Sequence, residues 1–399
     1  MIDAKLISLN CSIVQILKLI LQSSENLLNL AITSLPYHMK IMSIFGTRPE
    51  IIRLSRIFSL LDANFDHVMV NTSQNYTYEL NSVFFDELDI RKPDYDLKIK
   101  TGKYGPEVSD IITKSEDILL KEKPDVLLIL GDTNSGLAAI PAAHHRIKIA
   151  HLEAGMRSYD FRMPEEKNRV IIDHLSSLLL PYTTYSRENL IRENIHPGKI
   201  YVVGNPIIDV IDYFSPKIES SNIMEKMNLE SDGYFLVTAH RSENVDSPDS
   251  LEKIFSSLQT IGKKFKKRVI YPIHPRTLSK IKKRKIPNNL ELIKPLGFFD
   301  FSKLEKNAFC LITDSGTVPE EALYFKKPCV TIRESTERPE YIEEGSNILA
   351  GLNPKNVETA VKVITSHEND LEWNKSLGDG KTALRVANIL SGKIDRLQY

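Results

Sequence analysis

The feature that most restricts how this chain can fold is a long alternation of short apolar runs with stretches whose apolar residues recur at helical spacing. From Met39 onward the runs are MSIF, HVMVNT, VLLIL, KIAHLE, LLLPYT and KIYVVG, followed by a second series of YFLVTA, RVIYPI, LELIKP, FCLITD, CVTIR and NILAG. Strands separated by helices lie parallel in a sheet that is covered on both faces. Two series of six therefore predict an α/β chain of two doubly wound, Rossmann-like domains with a cleft between them. The expected spans are 39–206 and 207–379, joined at Gly204-Asn205-Pro206, where a strand ends in turn formers. A chain of 399 residues is long enough to give each its own core.

The segment before Met39 has the spacing of an amphipathic helix, but Lys5, Asn10, Gln15, Lys18 and Glu25 interrupt it. No apolar run reaches the ~18 residues needed to span a bilayer, and the small-residue cleavage site of a secretory signal is missing. Residues 1–38 are expected to be an appendage or an upstream translation start, without stable membrane insertion. Charged residues make up 26% of the chain and balance to a net charge of zero, which gives no case for nucleic acid as a partner. The three cysteines, Cys11, Cys310 and Cys329, are too few for a disulfide framework and point to a reducing cytoplasm.

Ligands of doubly wound sheets sit beyond the carboxyl ends of the strands, so the residues there are the candidates. The first series ends in GTRPE, TSQNYTYE, GDTNSG and HLEAGMRSYDFRMPEEKNR, carrying Arg48, Gln74, Asp132, Glu153, Glu165 and Arg169. In GTRPEIIR, Gly46 permits a tight turn, Thr47 suits a helix cap and Pro49 its first turn, so Arg48 is held at a helix N-terminus, where an anion is favoured. The second series ends in AHRSEN, IHPRT, TDSGTVPEE and RESTERPE, carrying His240, Arg241, Glu243, His274, Arg276, Ser315, Gly316, Thr317, Glu321 and Arg338. TDSGTVPEE has the form of a phosphate cradle, with Glu321 placed to bind vicinal sugar hydroxyls. Asp132, Glu153 and Glu165 suit proton transfer, although Asp132 equally suits a helix cap and Glu165 the support of a first helical turn. Glu153, inside an apolar run, needs a partner or a function. Neither HExxH nor a Cys/His set is present, so no metal is expected.

Taken together, GTRPE, GDTNS, HLEAGMRS, MPEEKNR, HRSENVD, IHPRT, TDSGTVPEE, STERPE and the C-terminal GDGKTALRVANIL resemble, in order from about residue 40 to 392, the non-hydrolysing UDP-N-acetylglucosamine 2-epimerase family. The resemblance implies a glycosyltransferase-B type of fold, with UDP held mainly by the C-terminal domain and a last helix, residues 380–396, packing back on the N-terminal one. It implies reversible inversion at C2 of UDP-N-acetylglucosamine through elimination of UDP and its re-addition to 2-acetamidoglucal, with no cofactor, in a cytoplasmic homodimer. By motif position Asp132, Glu153, Glu165 and His240 match the catalytic groups, and Arg48 the cation facing the departing UDP. Ser315, Gly316 and Glu321 match diphosphate and ribose contacts, and Arg338 the nucleotide-binding arginine. Two positions depart from the pattern. Arg53 stands where most members have lysine, and Gln74 is followed by Asn75 rather than histidine in a loop that in some members binds an activating second UDP-sugar. RPEIIRLSR, QNYTYELNSVFFDELDIRKPDY and SGTVPEE also resemble a branch that epimerises UDP-linked 6-deoxy amino sugars on the way to UDP-N-acetyl-L-fucosamine. A glycosyltransferase of the same fold is a further alternative.

Overall fold

The computed structural model describes residues 37–73, 82–99, 102–281, 286, 288–366 and 371–393; of residues 37, 38, 82, 242, 243, 275, 276 and 393 it describes the backbone alone. The N-terminal segment and Gln74 therefore lie outside the described residues, as do the side chains of Glu243 and Arg276.

Two six-stranded sheets are present, each wholly parallel. The first holds β1 (Tyr37–Phe45), β2 (Phe65–Asn71), β3 (Tyr95–Asp96), β4 (Val126–Leu130), β5 (Lys148–Leu152) and β6 (Leu178–Leu180), and the second β7 (Tyr234–Thr238), β8 (Arg268–Pro272), β9 (Leu290–Ile293), β10 (Cys310–Thr313), β11 (Cys329–Thr331) and β12 (Asn347–Leu349). The spatial orders are β3-β2-β1-β4-β5-β6 and β12-β11-β10-β7-β8-β9. Each is the doubly wound arrangement, with its reversal point between β1 and β4 in one and between β7 and β10 in the other.

Alternation along the strands explains the two-sided cores. Ile41 and Phe45 of β1 face one apolar cluster with Leu128 and Leu130, while Met42 and Ile44 face the opposite cluster with Leu127 and Ile129. Phe235 and Val237 do the same against Tyr234 and Leu236 in the second sheet.

One strand of the first series differs from expectation. KIYVVG is not a sheet member; it runs beside β6 through a single bridge, Leu179 to Ile200, and the edge on the other side is filled by the two-residue Tyr95–Asp96. Its charged surroundings, RKPDYDLKIK, hide that strand from any apolar pattern.

The helix Pro206–Glu219 inserts Ile207, Ile208, Val210, Ile211, Phe214 and Ile218 into the core of the first sheet, and Thr382–Lys393 adds Ala383, Val386, Ala387 and Leu390. Phe214 also meets Phe299 of the second half, ring centroids 5.5 Å apart. Asp209 joins the two helices by accepting the Thr382 and Ala383 amides at 3.1 and 2.9 Å. The chain thus leaves the first half after Glu219, with Ile223 in the core of the second, and returns between Leu377 and Thr382, where Asn205 N–H donates to the Leu377 carbonyl at 2.8 Å and Thr382 Oγ1 to Val203 O at 3.1 Å. Among the described residues no helix is long and apolar enough to cross a membrane.

Candidate active site

The turns at the two reversal points face each other across a cavity of about 530 Å³. From the first half come Arg48, Asp132, Glu153 and Glu165; from the second come His240, Arg241, His274, Ser315, Gly316, Thr317, Glu321 and Arg338. Carboxylates dominate one wall and cations with strand-end amides the other. Beyond the basic turns, Pro295, Leu296, Phe298 and Phe301 form an apolar face after the carboxyl end of β9, which strand-end reasoning missed because it looks there for charged and polar groups.

The Asp132 turn is tied down from several directions. Asn168 Nδ2 donates to Asp132 O at 3.0 Å, and Thr133 Oγ1 donates to Glu50 Oε1 at 3.0 Å. His151 Nε2 lies 2.8 Å from Gly131 O, and its Nδ1 lies 2.7 Å from Asp173. Arg169 bonds the Asp132 carboxylate directly. Arg169 was expected to touch substrate, and here the expectation is corrected. It is fully buried, bonded also to Glu166 at 3.2 Å and Met156 O at 3.3 Å, and reaches Asp132 from beneath rather than lining the cavity. Nor does Asp132 cap the short helix after β4, whose N-cap is Thr133. Glu165, half-buried, sits in the first turn of the helix Pro164–Leu175.

Glu153 has the most constrained geometry. Its φ is 71°, left-handed backbone that a residue with a side chain adopts only under strain. Its Oε1 lies 3.2 Å from Arg338 Nη2, across the cleft. Its Oε2 is buried and, among the described residues, has no hydrogen-bond partner. Two residues on, Gly155 has φ 79°, and a Cβ there would overlap the Ser186 carbonyl oxygen. Gly155→Ala is expected to destabilise the protein by about 3 kcal/mol, read from the midpoint of urea unfolding.

Arg338 is the hub between the halves. Besides Glu153 it bonds Glu320 and, at 2.7 Å, Glu337, and Glu320 also takes Arg53 from the first half. Burial pushes the Glu337 carboxyl up, but the guanidinium groups of Arg333, Arg338, Arg241 and Arg169 outweigh it and hold it well below the usual range. Gly316 is needed here, since a Cβ would run into Glu337 Oε1 and Arg338 Nη1.

Asp314, absent from the sequence-level candidates, organises the second half. Fully buried, it accepts the His240 amide at 3.0 Å, the Arg241 amide at 3.0 Å and Asn244 Nδ2 at 3.0 Å. His240 and His274 present their rings together, centroids 6.3 Å apart. Ser315 Oγ and Thr317 Oγ1 lie 3.1 Å apart. Arg48 is half-buried over the Phe84 ring at 5.9 Å; burial pulls its guanidinium below its ordinary value, opposed by Glu321 and Glu305. Burial, then the charge of Glu321, pushes the Glu305 carboxyl well up. Among the described residues no group of three His, Cys, Asp or Glu side chains is arranged to hold a metal ion.

A family described as UDP-N-acetylglucosamine 2-epimerase matches this chain over residues 60–391. Over 371 residues the chain is 42% identical to the UDP-N-acetylglucosamine 2-epimerase of Methanococcus maripaludis, an alignment covering 89% of this chain and 99% of that one. It is 35% identical over 360 residues to the UDP-2,3-diacetamido-2,3-dideoxy-D-glucuronate 2-epimerase of Pseudomonas aeruginosa, covering 88% and 99% of the two. The crystal structure of Methanocaldococcus jannaschii UDP-GlcNAc 2-epimerase in complex with UDP-GlcNAc and UDP is similar with a TM-score of 0.84 at 41% identity, covering 88% of this chain and 99% of that chain.

Proposed function

This chain belongs to the UDP-N-acetylglucosamine 2-epimerase family, and on that premise we propose that it interconverts UDP-N-acetylglucosamine and UDP-N-acetylmannosamine by inversion at C2. The observation that carries this reading is Glu153, a strained, buried carboxylate with one oxygen unpartnered among the described residues, in a cavity whose opposite wall is basic.

The C2 proton is not adjacent to a carbonyl, so an enolate is not available. In the proposed sequence a carboxylate of the first half takes the C2 proton, the C–H electrons form the C1–C2 double bond, and the C1–O bond breaks with its electron pair leaving on UDP. A proton then returns to C2 from the opposite face, and the UDP oxygen re-forms the bond at C1. Asp132, Glu153 and Glu165 supply the proton-transferring groups. His240, Arg241 and the Ser315–Thr317 turn receive the diphosphate with Arg48 facing it, Glu321 takes the ribose hydroxyls, and the base lies on Pro295, Leu296 and Phe298. Charge developing on the phosphate is stabilised by these preorganised cations and amides, each worth ~3 kcal/mol of barrier. We infer a homodimer acting in the cytoplasm, on a route to surface polysaccharide, from the family resemblance and the buried, unpaired Cys310 and Cys329.

The test is proton NMR with UDP-N-acetylglucosamine in deuterated water and nothing else added. Appearance of UDP-N-acetylmannosamine carrying deuterium at C2 is the expected result; accumulation of free UDP with N-acetylmannosamine overturns it in favour of hydrolysis. The Pseudomonas aeruginosa relative's name specifies a different UDP-sugar, so the same measurement is run on UDP-linked 2,3-diacetamido and 6-deoxy amino sugars. A faster exchange with either moves the substrate while keeping the chemistry.

A further inference from the structure

Glu50 lies in the first turn of the helix Arg48–Asn64 and is only 2% exposed. Its Oε2 accepts the Gly46 amide at 3.1 Å, the Thr47 amide at 2.7 Å and Thr47 Oγ1 at 2.7 Å, while its Oε1 accepts Thr133 Oγ1 at 3.0 Å. The first three bonds are those of an ordinary helix start. The fourth is not, because Thr133 belongs to the β4 turn, next to Asp132. Glu50 therefore ties together the two turns of the reversal point, one carrying Arg48 and the other Asp132.

The second sheet contains the same device built from a different residue. There Asp314, on the β10 turn, accepts amides from the β7 turn that carries His240 and Arg241. Each half thus has one buried carboxylate bonding its two ligand-facing turns.

We propose that Glu50 is a positioning residue for the reaction, fixing the distance between the phosphate-facing Arg48 and the proton-transferring Asp132 through Thr133. The inference rests on the functional reading above. Burial pushes the Glu50 carboxyl up to about 7 despite the four bonds it accepts. Because that value is raised above the 4.5 of an exposed glutamate, Glu50 adds stability that is complete below 4.5 and is lost as pH rises through about 7. The ionised group that holds both turns is thus the form that costs stability, as expected of a group retained for activity. Lining the same cavity are Arg48 and Arg53 of its own helix, Asp132 of the β4 turn, and Glu153, Glu165 and Arg338. Among the described residues its hydrogen-bond partners are the four donors.

The test compares turnover, KM and UDP affinity in the wild type, Glu50→Gln, Thr133→Val and the double variant. Misplacing a catalytic group by about 1 Å costs on the order of 10²-fold in rate, so each single variant is expected to lose about that much in kcat. Thr133→Val is expected to do so with UDP affinity unchanged, since the helix start is intact, and the double variant is expected to lose no more than Glu50→Gln alone. The gap in thermal stability, wild type minus Glu50→Gln, narrows as pH rises from 4.5 to above 7. Full turnover in Thr133→Val, or losses that multiply in the double variant, overturns the proposal. Deuterium exchange at C2 by the wild type keeps this failure separate from a failure of the functional reading.

Discussion

Glu153→Gln lowers kcat by about 10³-fold and leaves UDP affinity close to wild type, since a positioned acid or base is worth 10²–10⁴ in rate. The amide matches the carboxylate in size and keeps an oxygen for Arg338 Nη2, but it can neither accept nor return a proton. Turnover is followed by NMR in deuterated water and affinity by calorimetry with UDP alone. Turnover within about tenfold of wild type sinks the assignment of Glu153 to proton transfer. A loss of UDP affinity to match would mean instead that the substitution had disturbed Arg338.

The second large effect is expected at Arg338. Replacing it with methionine keeps bulk but removes the guanidinium from Glu153, Glu320 and Glu337 together. Removing one partner from a buried ion pair costs ~3–5 kcal/mol, because the charge left behind is uncompensated. The pH dependence follows from the carboxylates. Glu337 and Glu320 lie below their ordinary values despite burial, through their arginine neighbours. Their contribution is therefore fully present above the ordinary glutamate value and is lost below it, as pH falls through their lowered values in the folded protein. Denaturant midpoints should differ most between wild type and Arg338→Met near neutrality, and the gap should begin to close only as pH falls below 4.5. A gap independent of pH would show that Arg338 stabilises by packing alone.

Most strands were legible because each is a run of buried apolar residues, and the cavity's charged lining was legible because Arg48, Asp132, Glu153, His240 and Ser315 each follow such a run. What the sequence concealed has a common cause. The buried face of the helix Pro164–Leu175 is not apolar; it carries Glu166, Asn168, Arg169 and Asp173 beside Ile172. A hydrophobic stripe is absent from that face, so the pattern places Arg169 toward substrate, whereas it lies beneath Asp132. Asp314 and Glu50 were passed over for a related reason. Each reads as an ordinary turn or cap residue, and only the parallel sheet order, which brings strands distant in sequence side by side, shows that each reaches a second turn. Tyr95–Asp96 is a strand by its place at the β2 edge, not by composition.

Arg338 and Glu153 join the two halves across the cleft, with Arg53 and Glu320 beside them, so any opening of the cleft must break both ion pairs. In the proposed arrangement the neutral unsaturated sugar rests on one half and the anionic UDP on the other. Each catalytic cycle is then a race between re-addition and the opening of the cleft. Whichever is faster sets how often the two fragments part company, so in this arrangement the ion pairs across the cleft, Arg53–Glu320 beside Arg338–Glu153, set the leak of free UDP per turnover.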